Sequence, residues 1–290
     1  MSKPQGITLI VGGTGKTGRR VAGRLLQQGI PLRIASRTAE PPFEWHAPST
    51  WGAVLSGVES VYLAYYPDLA APGAEAQLRA FSVQAVASGV RRIVLLSGRG
   101  EEGARRSEQA VLAAGIPCTI LRCAFFCQNF SEGALLASVL EGQVAFPAGQ
   151  VREPFVDLDD VADVAVASLI DRRHAGEIYE LSGPRLLTFA EAAEELSRAT
   201  GREIAYVPST FAQFGDALAA HVPGPYVQFL TQLFEQIFDG HNAHLSDGVA
   251  RALGRPARDF RDFARAAARA GAWDAPQPAD VFGTSGSPSC

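Results

Sequence analysis

The strongest constraint on this chain lies between residues 7 and 18. The apolar run Ile7–Val11 leads directly into Gly12-Gly13-Thr14-Gly15-Lys16-Thr17-Gly18, and a helical pattern then runs from about Gly15 to Gln28 and stops at Gly29. A strand that passes into a helix through glycines presents bare backbone amides at the positive end of the helix, a ready-made phosphate site. Two glycine spacings that recur at dinucleotide pyrophosphates are present together, Gly13-x-Gly15-x-x-Gly18 and Gly12-x-x-Gly15-x-x-Gly18. Gly12 permits the tight turn, the amides around Thr14 to Thr17 can approach the pyrophosphate, and Gly18 lets the helix lie close to the strand. Gly15-Lys16-Thr17 also resembles the end of an ATP-binding P-loop. That motif needs a glycine five residues before Gly15, where Ile10 stands inside the strand.

The same alternation continues through the first half. Strands are predicted at Leu32–Ser36, Val58–Ala64, Arg92–Leu96 and Cys118–Arg122, with helices at about Ala74–Ala87 and Ala104–Ala114. The last three strands are counted as the fourth, fifth and sixth. Strand–helix repetition of this kind implies right-handed parallel crossovers, hence an α/β fold with a doubly wound parallel sheet of Rossmann type. Phe155–Ile170 reads as a short strand entering a helix opened by Asp157, Asp159 and Asp160, and Ile178–Leu181 as a strand. Thr188-Phe189-Ala190-Glu191 is a capping box for a helix to Thr200, and beyond Tyr206 the pattern is mostly helical to Trp273. The expected organisation is one nucleotide-binding domain over 1–274. Its smaller, mostly helical substrate-side lobe is drawn from about 125–155 and 177–274, and a flexible tail follows over 275–290.

Composition closes off several functions. Of 290 residues, 47% are hydrophobic and 19% charged, with a net charge of −4. No basic stripe points to nucleic acid; the pairs Arg91-Arg92, Arg105-Arg106 and Arg172-Arg173 read as solvated surface. No leader-like segment and no membrane-length apolar run is present, so the chain is expected to be soluble and cytoplasmic. Cys118, Cys123 and Cys127 have no zinc spacing and read as buried thiols; Cys290 falls in the tail. His241 and His244 lack the carboxylates a metal would need, so no metal is expected.

Cofactor choice follows from the end of the second strand. Ala35-Ser36-Arg37-Thr38 offers no acid before Glu40 to accept from a ribose 2′-hydroxyl. Arg37 can instead pair with a 2′-phosphate, helped by the hydroxyls of Ser36 and Thr38, which favours NADP(H); stacking of Arg37 on adenine is the alternative. Other ligand contacts are expected at the carboxyl ends of the strands. Tyr65, Ser97 and Phe125 are assigned to the cofactor, Tyr66, Phe126 and Asn129 to the substrate, and Ser97 and Arg99 to catalysis. Packing competes for the aromatic residues, and a surface role for Arg99. The Tyr-x-x-x-Lys acid usual in short-chain dehydrogenases cannot exist, because the only lysines, Lys3 and Lys16, precede every tyrosine. No Gly-x-Ser-x-Gly elbow is present either.

Several stretches together resemble the NmrA-like branch of atypical short-chain dehydrogenases. They are Val11–Gly18, Val94-Leu-Leu-Ser-Gly98, Thr119-Ile-Leu-Arg122 with Phe126-Cys-Gln-Asn-Phe130, Glu153-Pro-Phe-Val-Asp157 with Asp160, and Tyr179–Pro184 with Leu187–Glu191. Gly15-Lys-Thr-Gly18, Ala64-Tyr-Tyr-Pro67, Ser97-Gly-Arg-Gly100 and Asp239-Gly-His-Asn242 are most similar to the subgroup of ergot-alkaloid reductases. The resemblance spans about residues 5–273. Arg122-Cys123 departs from the Arg-Pro of many relatives, a change expected to affect backbone stiffness. The resemblance implies NADP(H) binding and reduction of an iminium or similarly electron-poor small molecule. Such acceptors suit a site without the tyrosine–lysine pair. A different class, the NmrA-type redox sensor that binds NADP without turnover, remains open, while an epimerase is disfavoured. The aromatic segment Phe211–Asp239 (Phe214, Tyr226, Phe229, Phe234, Phe238) fits a packed core or a homodimer face equally.

Overall fold

The computed structural model describes residues 6–219 and 223–274; the expected tail at 275–290, with Cys290, lies outside them. Six strands form one parallel sheet: β1 (Ile7–Val11), β2 (Leu32–Ala35), β3 (Val58–Leu63), β4 (Arg92–Gly98), β5 (Cys118–Cys123) and, after a β6 described below, β7 (Ile178–Leu181). Their order is β2-β1-β3-β4-β5-β7. The chain order reverses beside β1, so the carboxyl ends of β1 and β3 open a crevice of the kind in which α/β sheets hold ligands. Val11 is in register with Ala35 on one side and Leu63 on the other.

Alternating side chains divide the sheet into two buried faces. Leu9, Val11, Val61, Leu63 and Leu95 meet α2 (Trp51–Leu55), α3 (Ala74–Ala87) and α4 (Glu102–Leu112). Ile10, Tyr62, Val94 and Leu121 meet the opposite layer, where α1 (Lys16–Gln27) inserts Val21 and Leu25. Fully burying a Val or Leu side chain of this kind contributes about 1.5–3 kcal/mol.

The strands at Val58, Arg92 and Cys118 are the third, fourth and fifth along the chain, which corrects the count made from the sequence. The Phe43–Trp51 connection holds no strand; Pro48–Thr50 makes a single 3-10 turn into α2. Trp51 Nε1 donates to Glu44 O at 2.8 Å and pins that connection instead. The short strand expected at Phe155 is reduced to one bridge between Phe126 and Val156.

The remaining elements build a lobe over the carboxyl edge. The helices α5 (Asn129–Glu132) and α6 (Leu136–Leu140) precede β6 (Gln143–Phe146), which pairs in parallel with β8 (Ala205–Pro208), a two-stranded sheet the sequence did not suggest. Between them run α7 (Leu158–Ile170) and α8 (Phe189–Thr200). α7 is apolar on nearly every side because it is wedged between the sheet and α1, and Asp157 caps it by accepting the Asp159 N–H at 2.8 Å. Gln128 staples the loop after β5 to this cap, donating to Asp157 Oδ1 at 2.7 Å and accepting from Leu158 N at 2.8 Å. The capping box at Thr188 and Glu191 forms as expected. Four helices complete the described chain: α9 (Phe211–Ala219), α10 (Gly224–Ile237), α11 (Gly248–Leu253) and α12 (Phe260–Arg269). Among the described residues no helix is long and apolar enough to cross a membrane.

Candidate active site

The glycine turn has the geometry of a pyrophosphate cradle. Gly12 sits at φ +77°, and its carbonyl accepts the Gly15 N–H at 2.9 Å. A Cβ on Gly18 would lie 2.3 Å from Gly12 O and 2.7 Å from the Cα of Gly13, so any side chain there forces α1 off the turn. One on Gly13 would lie 2.7 Å from Ile34 Cγ2. Gly15 begins α1 without a side-chain cap, and Thr14 and Gly15 are exposed, which leaves the first-turn amides open for an anion. Thr17 is buried beneath them.

Lys16 and Asn129, predicted separately as cofactor and substrate residues, are brought together: Lys16 Nζ donates to Asn129 Oδ1 at 2.6 Å. Burial, then the charges of Arg19 and Arg20, lowers the Lys16 ammonium to about 8. An anion beside it would restore its preference for the charged form. Arg19 and Arg20 both pair with Glu132. Two residues past the Val11–Ala35 register, Arg37 is exposed and makes no hydrogen bond or ion pair within the described chain. Ser36 Oγ and Thr38 Oγ1 flank it, 3.4 Å apart. Open amides, a glycine-only cradle and an uncommitted guanidinium fit a dinucleotide carrying a 2′-phosphate.

Beyond the turn, the ends of β3, β4 and β5 face α10 across a cleft of about 360 Å³. It gathers Tyr65, Ser97, Arg99, Phe125, Phe126 and Asn129. Tyr66 is not on its wall and is 77% exposed. Tyr65 takes the inward place instead, packed on Trp45 with ring centroids 4.7 Å apart and donating to Gln77 Oε1 at 2.7 Å. Phe125 serves core and cleft at once, lying edge-on to Phe146 and Phe189 while lining the cavity. The aromatic segment of the lobe also divides. Tyr226 and Phe234 line the cleft, Phe214 and Phe238 pack on Phe146, and Phe229 stacks on Tyr226 at 5.7 Å.

The polar groups are arranged less simply than the sequence suggested. Ser97 Oγ donates its hydrogen to Glu108 at 2.6 Å, so toward the cleft it has only lone pairs to offer. Glu108 is fully buried and held by Arg122 through Nε and Nη2, at 3.0 and 2.7 Å. Arg99, assigned from the sequence to catalysis with a surface role as the alternative, is only 4% exposed. Its Nη2 reaches the carbonyls of Asn242 and His244 at 3.1 and 2.6 Å, which ties the segment after α10 to the end of β4. Arg99 Nε and Nη1 are buried without a hydrogen bond. Glu153 is 1% exposed; its Oε1 accepts the Phe125 N–H at 3.0 Å, and its Oε2 has no partner. Burial lifts Glu153 to about 7, opposed by the Phe125 N–H and the charge of Arg99.

Sequence reasoning missed Asp68, Glu101, Glu108 and Glu153. Glu101 was visible two residues past Arg99, and Glu153 inside a stretch that carried the family resemblance. The histidines are structural or superficial: His241 pairs with Asp239, and Asn242 Nδ2 donates to Arg99 O at 3.3 Å. Among the described residues no cluster of three or more His, Cys, Asp or Glu side chains could hold a metal. Cys118, Cys123 and Cys127 are free and buried, and burial raises each thiol's pKa.

No protein-family model matches the chain. It is 30% identical over 287 residues to the NAD(P)H azoreductase of Xenophilus azovorans, covering 90% of this chain and 98% of that one. It is also 30% identical over 281 residues to festuclavine synthase II of Penicillium roqueforti, covering 88% and 96%. In fold it is similar to the Citrobacter sp. triphenylmethane reductase complexed with NADP(H), with a TM-score of 0.69 at 21% identity over 90% of this chain and 99% of that one.

Proposed function

Because the chain belongs to the NmrA-like family of atypical short-chain dehydrogenases, near the ergot-alkaloid reductases, we propose that it reduces an electron-poor small molecule of imine, iminium or quinone-like type. It is an oxidoreductase, and its cofactor is NADP(H), which supplies the hydride when bound. The observation that carries the substrate reading is the composition of the cleft. Tyr65, Phe125, Phe126, Tyr226 and Phe234 surround three carboxyls, Asp68, Glu101 and Glu153, with Arg99 as the one lining cation among the described residues. Flat aromatic walls with an excess of carboxyls suit a planar acceptor that carries or develops positive charge.

In this reading Gly12 to Gly18 hold the pyrophosphate, while Ser36 and Arg37 hold the 2′-phosphate. Lys16, fixed by Asn129, neutralises phosphate charge. Tyr65, Phe125 and Ser97 border the nicotinamide, with Ser97 accepting a hydrogen bond. Phe126 and Asn129 border the substrate, and Arg99 anchors a carbonyl or anionic group through Nη1, which makes no hydrogen bond in the described chain. Most of the rate enhancement comes from positioning two planar reactants and excluding water.

The test is NADPH oxidation with a panel of cyclic imines, N-alkyl iminium ions and quinones. Turnover of at least one class is expected. No turnover with any of them, together with tight and unequal binding of NADP+ and NADPH, overturns the enzyme in favour of a redox sensor.

A further inference from the structure

Glu101 immediately precedes α4, a position whose side chain ordinarily caps the helix, yet its carboxyl caps nothing. It turns into the cleft and makes no hydrogen bond within the described chain, although the residue is only 8% exposed. Gly98 makes this placement possible. A Cβ there would lie 1.9 Å from Glu101 Oε1, so the carboxyl rests directly on the glycine backbone at the end of β4. The same cleft holds buried polar atoms without a hydrogen bond, Arg99 Nη1 and Glu153 Oε2, while Arg99 Nε has only the Glu180 carboxylate at 3.8 Å. Its polar lining is therefore completed by something other than this chain.

The charges around Glu101 come from each element packed against it. The loop after β3 supplies Asp68, whose Oδ1 accepts the Ala70 N–H at 2.7 Å. α4 supplies Glu108, largely neutralised by Arg122 of β5, and β5 also supplies Cys123. Arg99 and Tyr226 of α10 line the same cleft. Burial first, then Asp68 and Glu108, raises the Glu101 carboxyl well above the usual carboxylate range. Burial raises Glu153 as well, to about 7, but its other neighbours differ: the Phe125 N–H, Arg99 and His241 all favour its anion.

We infer that Glu101 is the proton donor of the reaction, giving its proton to the heteroatom of a neutral acceptor as hydride arrives at the adjacent carbon. The inference rests on the reductase reading and supplies the proton that its neutral imine substrates need. For an imine, the C–H bond forms with the two electrons of the NADPH hydride, and the C=N π pair shifts onto nitrogen. The Glu101 O–H bond breaks as N–H forms, leaving an amine, NADP+ and a carboxylate that regains its proton from solvent. Asp68 acts as a positioning residue, the two carboxyls opposing each other's ionisation. A permanently charged N-alkyl iminium bypasses the donor.

The experiment compares wild type with Glu101→Gln on a matched pair, the weakly basic imine 2,3,3-trimethyl-3H-indole and its N-methyl iminium, at neutral pH, where the imine is unprotonated. General acid catalysis is worth roughly 100-fold or more. The kcat/KM of the variant should therefore fall at least about 30-fold further on the imine than on the iminium. In the cofactor-free protein, a protonated-carboxyl infrared band at neutral pH should disappear in the variant, and unchanged NADPH affinity controls for folding. Equal losses on the two acceptors, or absence of that band, overturn the assignment of Glu101 while leaving the reductase intact. A wild type that reduces neither acceptor, nor any quinone, overturns both.

Discussion

Arg37→Ala isolates the 2′-phosphate contact, because this side chain makes no hydrogen bond or ion pair in the described chain that its removal would break. Stability should be unchanged. A unit charge pair at 4 Å is worth about 1 kcal/mol in water and about 4 kcal/mol at an effective dielectric near 20. The exposure of Arg37 puts it near the watery limit, but a phosphate monoester carries about −1.5 to −2 at neutral pH. The expected loss is therefore about 2 kcal/mol, or roughly 30-fold in NADPH affinity. NADH, which lacks the phosphate, should bind almost as before. Titration of cofactor fluorescence measures both constants directly. Salt supplies a second handle: the Debye length shrinks from about 10 Å at 0.1 M to about 3 Å at 1 M, so the NADPH preference should narrow in wild type and stay flat in the variant. Arg37→Lys should recover part of the preference, keeping charge but not the planar fork. If the variant weakens NADPH and NADH equally, Arg37 stacks on adenine and the phosphate reasoning is refuted.

Gly18→Ala places a methyl 2.3 Å from Gly12 O, a backbone atom that cannot step aside. Overpacking of this kind costs about 1–3 kcal/mol, and the displaced turn should abolish the rise in Tm that NADPH gives wild type. Arg122→Ala strips the cation from fully buried Glu108; removing one partner of such a pair costs about 3–5 kcal/mol, read as a lower urea midpoint. Joint replacement Arg122→Met with Glu108→Leu should recover most of that loss. Glu153 holds its proton up to about 7 when folded, well above the ordinary 4.5 of a glutamate carboxyl. Its folded-state pKa is raised, so the stability it contributes is complete at low pH and is lost as pH rises through about 7. Glu153→Gln keeps the acceptor for the Phe125 N–H and loses this slope. Relative to wild type it should gain up to about 3 kcal/mol across that window in urea titrations. A pH-independent difference between the two proteins would show that Glu153 ionises freely in its site.

The parts of the fold legible in the sequence were those with local causes. The glycine turn, the capping box at Thr188 and the aspartate-led start of α7 each follow from residues within one helical turn, and all three formed as expected. The β6–β8 pair was invisible because its strands are four residues each and separated by 58 residues of chain, so neither carries a pattern of its own. The cleft was half legible. Strand-end logic reached Tyr65, Ser97 and Phe125, because a parallel sheet directs its carboxyl ends to one edge. It could not separate Tyr65 from Tyr66, since adjacent side chains at a strand end point opposite ways and only Trp45 and Gln77, from elsewhere, decide which faces inward. The acids escaped for another reason. A glutamate in a loop reads as surface, and nothing near Glu101 or Glu153 in sequence reveals that α10 and the segment after it bury them.

That burial bears on the choice between a reductase and a cofactor-binding sensor. A sensor needs the glycine turn and Arg37, both of which lie outside the cleft. Leaving a buried donor or acceptor unpaired costs about 1–3 kcal/mol, more for charged groups. Arg99 Nη1 and Glu153 Oε2 lack a hydrogen bond together, and Arg99 Nε reaches only Glu180 at 3.8 Å; the cost is a sizeable share of the 5–15 kcal/mol that holds a typical domain folded. Apolar replacements of similar shape would remove that cost if the cleft only packed α10 against the sheet. Arg99 is partly explained by the two carbonyls it clamps, but Glu153 Oε2 and the uncapping carboxyl of Glu101 have no such structural use. Polar groups that weaken the free protein are retained where a ligand satisfies them. Here that ligand sits between the aromatic walls, where the nicotinamide borders Tyr65, Ser97 and Phe125 and an acceptor molecule would meet Arg99, Glu101 and Glu153.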